Sequence, residues 1–312
     1  MTSHQPIIVV FGATGYQGGS VINRLLTTQR NEYHLRAVTR NPQSSAARKL
    51  AEKGVEVVYG DANQPESLSA AFDGAWGAFL VTNFWDPNQG LDPETDFVQG
   101  KNLVDAAVKS GTVKFVVWSS LHDIDKASGD TLSVPHYTNK YRVEEYIRAQ
   151  PGLQTAFVYA GFYAQNWVNF PPFGVPTLKE DKVVLETAVR ADVALPLIDI
   201  EEDFGKFVAP LFADPARFNG LDILAATEYL TVPQMVHIYE RVSGTKVHLE
   251  RIDVSAVPVP ELQATINLFN RYGYYVGELI EPSLARYPNE AFGSFESWLR
   301  RVDFKPHQSQ SA

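Results

Sequence analysis

The 312-residue chain has no cysteine. Disulfides, thiolate catalysis and cysteine-built zinc sites are excluded with it. Its seven histidines, at 4, 34, 122, 136, 237, 248 and 307, show no close ligand spacing, so no metal is expected. His122-Asp123-Ile124-Asp125 carries oxygen ligands but reads better as a polar loop. No apolar run is long enough for a membrane span, and Met1 to Pro6 lacks a basic-then-apolar leader. Positive charge is in deficit. The 27 Lys and Arg against 36 Asp and Glu leave −9, which argues against nucleic acid as the direct partner. A hydrophobic content of 45% excludes a disordered chain. The expectation is a soluble, cytoplasmic protein, with the nucleus as a second compartment and no membrane contact.

What is present begins at Ile7-Ile8-Val9-Val10-Phe11, five β-formers that read as a buried strand. Gly12-Ala13-Thr14-Gly15-Tyr16-Gln17-Gly18-Gly19 follows, and helical spacing runs from Ser20 to Thr28. Strand, glycine turn and helix in that order read as a dinucleotide site, since the other reading, an ordinary βα loop, does not need three glycines at that spacing. Glycines let the backbone approach a pyrophosphate whose charge meets the helix N-terminus. The spacing is G-x-x-G-x-x-G, and Gly12, Thr14, Gly15, Tyr16, Gln17 and Gly18 are the candidate contacts.

A second absence selects the dinucleotide. Tyr33 to Thr39 reads as a strand ending in Arg40-Asn41-Pro42, and no carboxylate lies between His34 and Glu52. NAD sites usually place Asp or Glu here for the ribose 2′-hydroxyl. A guanidinium suits a 2′-phosphate instead, so Arg40 favours NADP(H), with Arg48 and Lys49 as further positive charge. The other reading of Arg40 is a solvated strand-end arginine.

Four more strands are expected, at Val55 to Tyr59, Trp76 to Thr82, Val113 to Ser119 and Thr155 to Tyr159. Helices are expected at Pro65 to Phe72, at Asp92 to Ser110 with Phe97, Val104 and Val108 on one face, and at Thr138 to Ala149. Six strands with helical crossovers imply an α/β, Rossmann-type doubly wound parallel sheet of order 3-2-1-4-5-6. Gly12, Arg40, Asp61, Thr82 and Ser119 fall at the carboxyl ends of its strands, where ligands lie. Residues 1–160 are the expected nucleotide domain. Residues 161–312 are a smaller α+β substrate or partner domain, with some elements returning to the main sheet. Phe170 to Pro176 reads as an irregular aromatic loop, Val257 to Pro260 as a break, and Lys305 to Ala312 as a frayed tail.

The glycine turn, Val38-Thr39-Arg40-Asn41-Pro42, Gly60-Asp61, Val81-Thr82-Asn83-Phe84-Trp85 and Tyr159-Ala160-Gly161-Phe162-Tyr163 with Asn166 together resemble the NmrA-like family. Its members are atypical relatives of the short-chain dehydrogenases, and the likeness is to the NADP-sensing, redox-sensor branch. The resemblance implies cofactor contacts from Asp61, Ala62, Thr82, Asn83, Phe84, Lys140, Tyr159, Gly161, Phe162 and Asn166.

Ordinary short-chain dehydrogenases pair Tyr-x-x-x-Lys with a serine after the fifth strand. Here Ser119, Ser120 and Lys140 are present, but His136 stands four before the lysine and Tyr137 three before it. On a helix both positions neighbour the lysine. If the helix starts only at Thr138, both lie on a loop. Lys140, His136 and Tyr137 are the catalytic candidates, and the other reading of Lys140 is a clamp on the nicotinamide ribose. Phe84 and Trp85, and Phe162, Tyr163, Trp167, Phe170 and Phe173, either line a flat pocket or pack between domains. Core packing is the simpler reading of Phe269 to Tyr275.

Two functions follow. One is an NADP(H) redox sensor acting through a protein partner, a transcription-control protein in this family. The other is an NADPH-dependent oxidoreductase reducing a small carbonyl or conjugated substrate, with Lys140 as the acid/base group. Monomer and homodimer are both open.

Overall fold

A computed structural model describes residues 5–86, 92–170 and 173–308. The first strand is β1 (Ile7–Val10), with Ile8, Val9 and Val10 wholly buried as the centre of a parallel sheet requires. It leads through the glycine turn to α1 (Tyr16–Thr28), β2 (His34–Thr39), α2 (Ser45–Glu52) and β3 (Glu56–Tyr59). Then come α3 (Leu68–Phe72), β4 (Ala75–Leu80), α4 (Thr95–Ser110), β5 (Phe115–Ser120), α5 (Ile124–Ser128), α6 (Pro135–Arg148) and β6 (Gln154–Ala160). The chain continues through β7 (Phe162–Tyr163), α7 (Asn166–Asn169), β8 (Thr177–Lys179), β9 (Lys182–Thr187) and β10 (Ala194–Ile198). After these come α8 (Phe204–Ala213), α9 (Pro215–Phe218), β11 (Asp222–Ala225), β12 (Glu228–Thr231), α10 (Val232–Ser243) and β13 (Val247–Arg251). It ends with α11 (Pro260–Tyr272), α12 (Glu281–Leu284), α13 (Phe295–Val302) and β14 (His307–Gln308).

Among the described residues, the main sheet has seven strands in the order β3-β2-β1-β4-β5-β6-β11. From β3 through β6 every neighbouring pair is parallel. The doubly wound order read from the sequence is present, and β11 adds an edge strand beyond it. β1 lies between β2 and β4, so the winding reverses there and opens a crevice at the carboxyl ends.

The chain divides into two compact units that interleave along the sequence. The first comprises residues 1–123, 135–159 and 201–223, and the second 124–134, 160–200 and 224–312. Residues 201–223 return to the first unit, and residues 124–134 fall in the second. In the first unit α8 packs on α1, where the Gly205 amide donates to Ser20 Oγ at 2.9 Å. The second unit holds a three-stranded sheet, β12-β10-β7, and a four-stranded one, β13-β9-β8-β14. No helix among the described residues is long and apolar enough to cross a membrane.

Several local expectations need correction. α1 starts at Tyr16 rather than Ser20, so Gln17, Gly18 and Gly19 are helical. α6 starts at Pro135 rather than Thr138, which puts His136 and Tyr137 in its first turn. Proline suits a first helical position, because its fixed φ fits and its missing N–H would be unpaired anyway. On α4 the buried stripe is Asp96, Gln99, Gly100, Leu103, Val104 and Ala107, while Val108 is exposed. Gly100 turns that stripe, because a Cβ there would strike Val143 of α6. Ile124 and Asp125 open α5 rather than lying in a loop, and His122 is buried with its ring 4.7 Å from Tyr159. Within the expected frayed tail, His307 and Gln308 pair with Thr177 and Leu178. Pro171 and Pro172 of the aromatic loop, and residues 309–312, lie outside the described residues.

Candidate functional site

The glycine turn is built by backbone crowding. Gly12 has φ +62°, a left-handed conformation that side chains disfavour, and a Cβ on it would lie 2.8 Å from Val81 Cγ1. A Cβ on Gly18 would lie 2.6 Å from Gly12 C and 2.8 Å from Ala13 N. Gly18 thus has no side chain because the first turn of α1 tucks under the start of the loop. Gly15 is freer: its Cβ would be 3.4 Å from Gly12 O, near ordinary contact. It caps α1 in an extended conformation without a side-chain cap, and the helix has no acid in its first turn. The positive end of the helix dipole therefore meets no side-chain cap and no acid from its own first turn.

Two cavities flank this turn. One, of about 390 Å³, is lined by Thr14, Gly15, Tyr16, Gly19, Ser20, Asn23 and Glu201. The other, of about 160 Å³, opens over the β1/β2/β4 ends. Gly12, Thr14, Arg40, Asp61, Ala62, Thr82 and Asn83 all line it. Seven of the sequence-assigned cofactor residues are thereby brought to one cavity. Arg48 and Lys49 are exposed on α2 and are not among its lining residues.

Both cations that the sequence assigned to the cofactor already face buried aspartates. Arg40 Nη1 lies 2.5 Å from Asp86 Oδ2; the arginine side chain is 51% exposed and the aspartate 3%. Lys140 Nζ donates to Thr82 O at 2.9 Å and to Thr82 Oγ1 at 2.7 Å. It also sits 3.1 Å from Asp96 Oδ2, on a carboxylate with no exposed surface. An ammonium has three N–H donors; Thr82 accepts from two of them, and Asp96 meets the charge as an ion pair outside hydrogen-bond geometry. Lys140 thereby ties the chain beyond β4 to α4 and α6.

His136 is buried, its ring 5.5 Å from Phe84, 5.3 Å from Trp85 and 4.8 Å from Tyr137. Tyr137 is 1% exposed. The aromatic pair after β4 therefore packs on the start of α6. Tyr159 donates to Glu144 Oε2 at 2.7 Å, and Ser120 Oγ donates to the same oxygen at 2.6 Å. Arg148 Nε donates to Glu144 Oε1 at 3.0 Å. Burial pushes the Glu144 carboxyl up, against the lowering effect of these donors. Burial, and then the nearby Glu144 charge, push the Tyr159 phenol up. Ser119 is buried at the end of β5.

Gly161, Phe162 and Asn166 belong to the second unit. There Phe162 packs against Phe173 at 5.2 Å and Tyr274 at 6.5 Å, and Tyr275 is fully enclosed. The sequence reading missed Asp86, Asp96, Gln99 and Glu201. Asp86 directly follows the aromatic pair that drew attention to this loop. Nothing local marks it as a partner 46 positions from Arg40.

Comparison with known proteins agrees with this architecture. The NmrA-like family model matches residues 4–299. An NmrA-like family domain-containing oxidoreductase of Aspergillus campestris, cpsB, is 32% identical over 309 residues, covering 92% of this chain and 89% of its own. An NmrA-like family domain-containing protein of Dictyostelium discoideum is 31% identical, covering 96% of this chain and 98% of its own. The crystal structure of NmrA, a negative transcriptional regulator, in complex with NADP superposes with a TM-score of 0.82 at 25% identity. That match covers 96% of this chain and 95% of NmrA. Sequence motifs, sheet order and these matches converge: the chain belongs to the NmrA-like family.

Proposed function

We propose that this protein binds NADP(H) in the crevice at the β1/β2/β4 ends and reports its occupancy to a protein partner, as a redox sensor. The residues fit the group. Gly12 and Gly18 have no room for a Cβ, and the uncapped N-terminus of α1 suits a pyrophosphate. Arg40, on the same cavity, suits a 2′-phosphate. NmrA has been crystallised in complex with NADP and with NAD, which supports a dinucleotide here without choosing between the two. In this reading Asp61, Ala62, Thr82 and Asn83 contact the cofactor. Lys140 fixes the Thr82 carbonyl rather than moving a proton, and the partner is a transcription-control protein.

The observation that carries the sensor reading is the engagement of Lys140 with Thr82 and Asp96. With His136 packed among rings, neither group is presented as a ready acid or base. Bound NADPH would supply a hydride. A second reading, an NADPH-dependent oxidoreductase, is favoured by relatives such as the Aspergillus campestris protein, which is named an oxidoreductase. NADPH oxidation across aldehydes, ketones, quinones and enones separates the two, using the native chain and the Lys140→Met/Asp96→Asn double variant, which leaves no charge unpaired. The sensor reading expects tight NADPH binding and no substrate-saturable oxidation. Saturable oxidation in the native chain, lost in the double variant while NADPH still binds, would establish the enzyme reading in its place.

A further inference from the structure

Arg40 does not wait alone for a phosphate. Its guanidinium meets Asp86, a carboxylate that is 3% exposed, and both residues line the cavity over the β1/β2/β4 ends. A dinucleotide binds here under the reading above, on which this inference rests. We propose that Asp86 is a specificity-determining residue that moderates the preference of the site for NADP(H) over NAD(H).

The physical argument has three parts. Arg40 offers five N–H donors, and Asp86 already uses the Nη1 corner. A 2′-phosphate seeking the same fork would bring a second anion to a guanidinium that a fixed carboxylate shares, and like charges at that range repel. A ribose 2′-hydroxyl brings no charge and donates one proton, which a carboxylate accepts well. Arg40 therefore favours the phosphate while Asp86 disfavours it and accepts the hydroxyl. The acid usually found at the end of the second strand is missing from the sequence. The fold supplies one from the segment after β4 instead.

The positions of the two groups set which one yields. Asp86 is buried, and Arg40 is half exposed at the rim. The carboxylate is the fixed member, so it faces whichever cofactor arrives. Asparagine at this position keeps an oxygen to accept from Arg40 and removes only the charge. That makes Asp86→Asn a test of the charge itself rather than of the support Asp86 gives to Arg40.

The experiment is calorimetric titration of NADP⁺ and NAD⁺ into the full chain, Asp86→Asn and Arg40→Ala, with thermal melts confirming that each variant is folded. Asp86→Ser serves in place of Asp86→Asn if the latter does not fold. Neutralising Asp86 should raise the NADP⁺/NAD⁺ affinity ratio by about tenfold, the size of one charge-assisted hydrogen bond. Arg40→Ala should lower that ratio by at least as much. Opposite signs from the two variants support the inference. An unchanged or lowered ratio in Asp86→Asn, with the native chain still binding NADP⁺, would overturn it alone and leave Asp86 as a mere support for Arg40. No binding of either cofactor by the native chain would overturn this inference and the proposed function together.

Discussion

The turn after β1 and the start of α6 stand within one unit of the fold, and they are built in opposite ways. The turn is made of backbone: Gly12 is left-handed, Gly18 has no space for a side chain, and α1 starts without a side-chain cap. The start of α6 is made of side chains that already have partners. Lys140 is held by Thr82 and Asp96, and His136 by rings. A site for binding needs unspent donors, whereas a relay for protons needs a group that can let go of one. At the turn the helix end carries no side-chain cap, whereas at α6 the donors already hold the molecule together.

The sharpest way to break this comparison is at Lys140. Lys140→Met leaves Asp96 charged and wholly buried. Removing one partner of a buried pair typically costs about 3–5 kcal/mol, so chemical denaturation should show a loss of that order. The Asp96→Asn/Lys140→Met double variant should recover most of it. A Lys140→Met chain as stable as the native one would mean that the lysine is not holding α4 to α6.

The turn gives the next largest effect. Gly18→Val forces atoms into Gly12 and Ala13, and overpacking typically costs about 1–3 kcal/mol. Both melting temperature and NADPH affinity should fall together. Gly15→Ala has room within the protein, so its stability should be near native while affinity drops. A Gly18→Val chain with native stability and lost binding would show that the crowding is only toward the ligand.

The smallest effect is a pH dependence. Glu144 is buried, and its carboxyl is raised above the ordinary 4.5. A raised acid binds its proton more tightly in the folded state. Its stabilising share is therefore complete below the ordinary value and is lost as pH climbs through the raised one. Glu144→Gln keeps a neutral acceptor for Ser120 and Tyr159. The native chain should lose stability relative to this variant as pH rises from about 4.5 toward neutrality, as equilibrium unfolding at several pH values would record. A difference that is flat, or of opposite sign, would mean that Arg148 outweighs burial.

The same contrast explains what was legible in the sequence. The glycine turn and the first six strands were, because consecutive β-formers and glycine spacing are local signals. The start of α6 reads three residues late, at Thr138, because the apolar pattern begins there, although Pro135 suits a first helical position. Asp86 and Asp96 as partners of Arg40 and Lys140 were not legible, since ion pairs across 46 and 44 positions leave no local trace. β11 is four residues long and is set by its neighbour β6, and β14 likewise depends on pairing with β8. The face of α4 was misjudged because a glycine, invisible to hydrophobic spacing, set the line of closest approach.

The clasp between α1 and α8 bears on the order in which the protein is made. Gly205 fits against Ser20 only because it has no side chain, and its amide is satisfied by the serine hydroxyl. The helix that carries the glycine turn is thus closed on its outer face by residues that leave the ribosome about 185 positions later. A nascent chain that has reached residue 160 holds the whole nucleotide motif and six of the strands, but its first helix is still open on that side. The cradle is written first and finished late, so a stalled or cleaved product carrying the full motif would expose the apolar flank of α1 that α8 should cover.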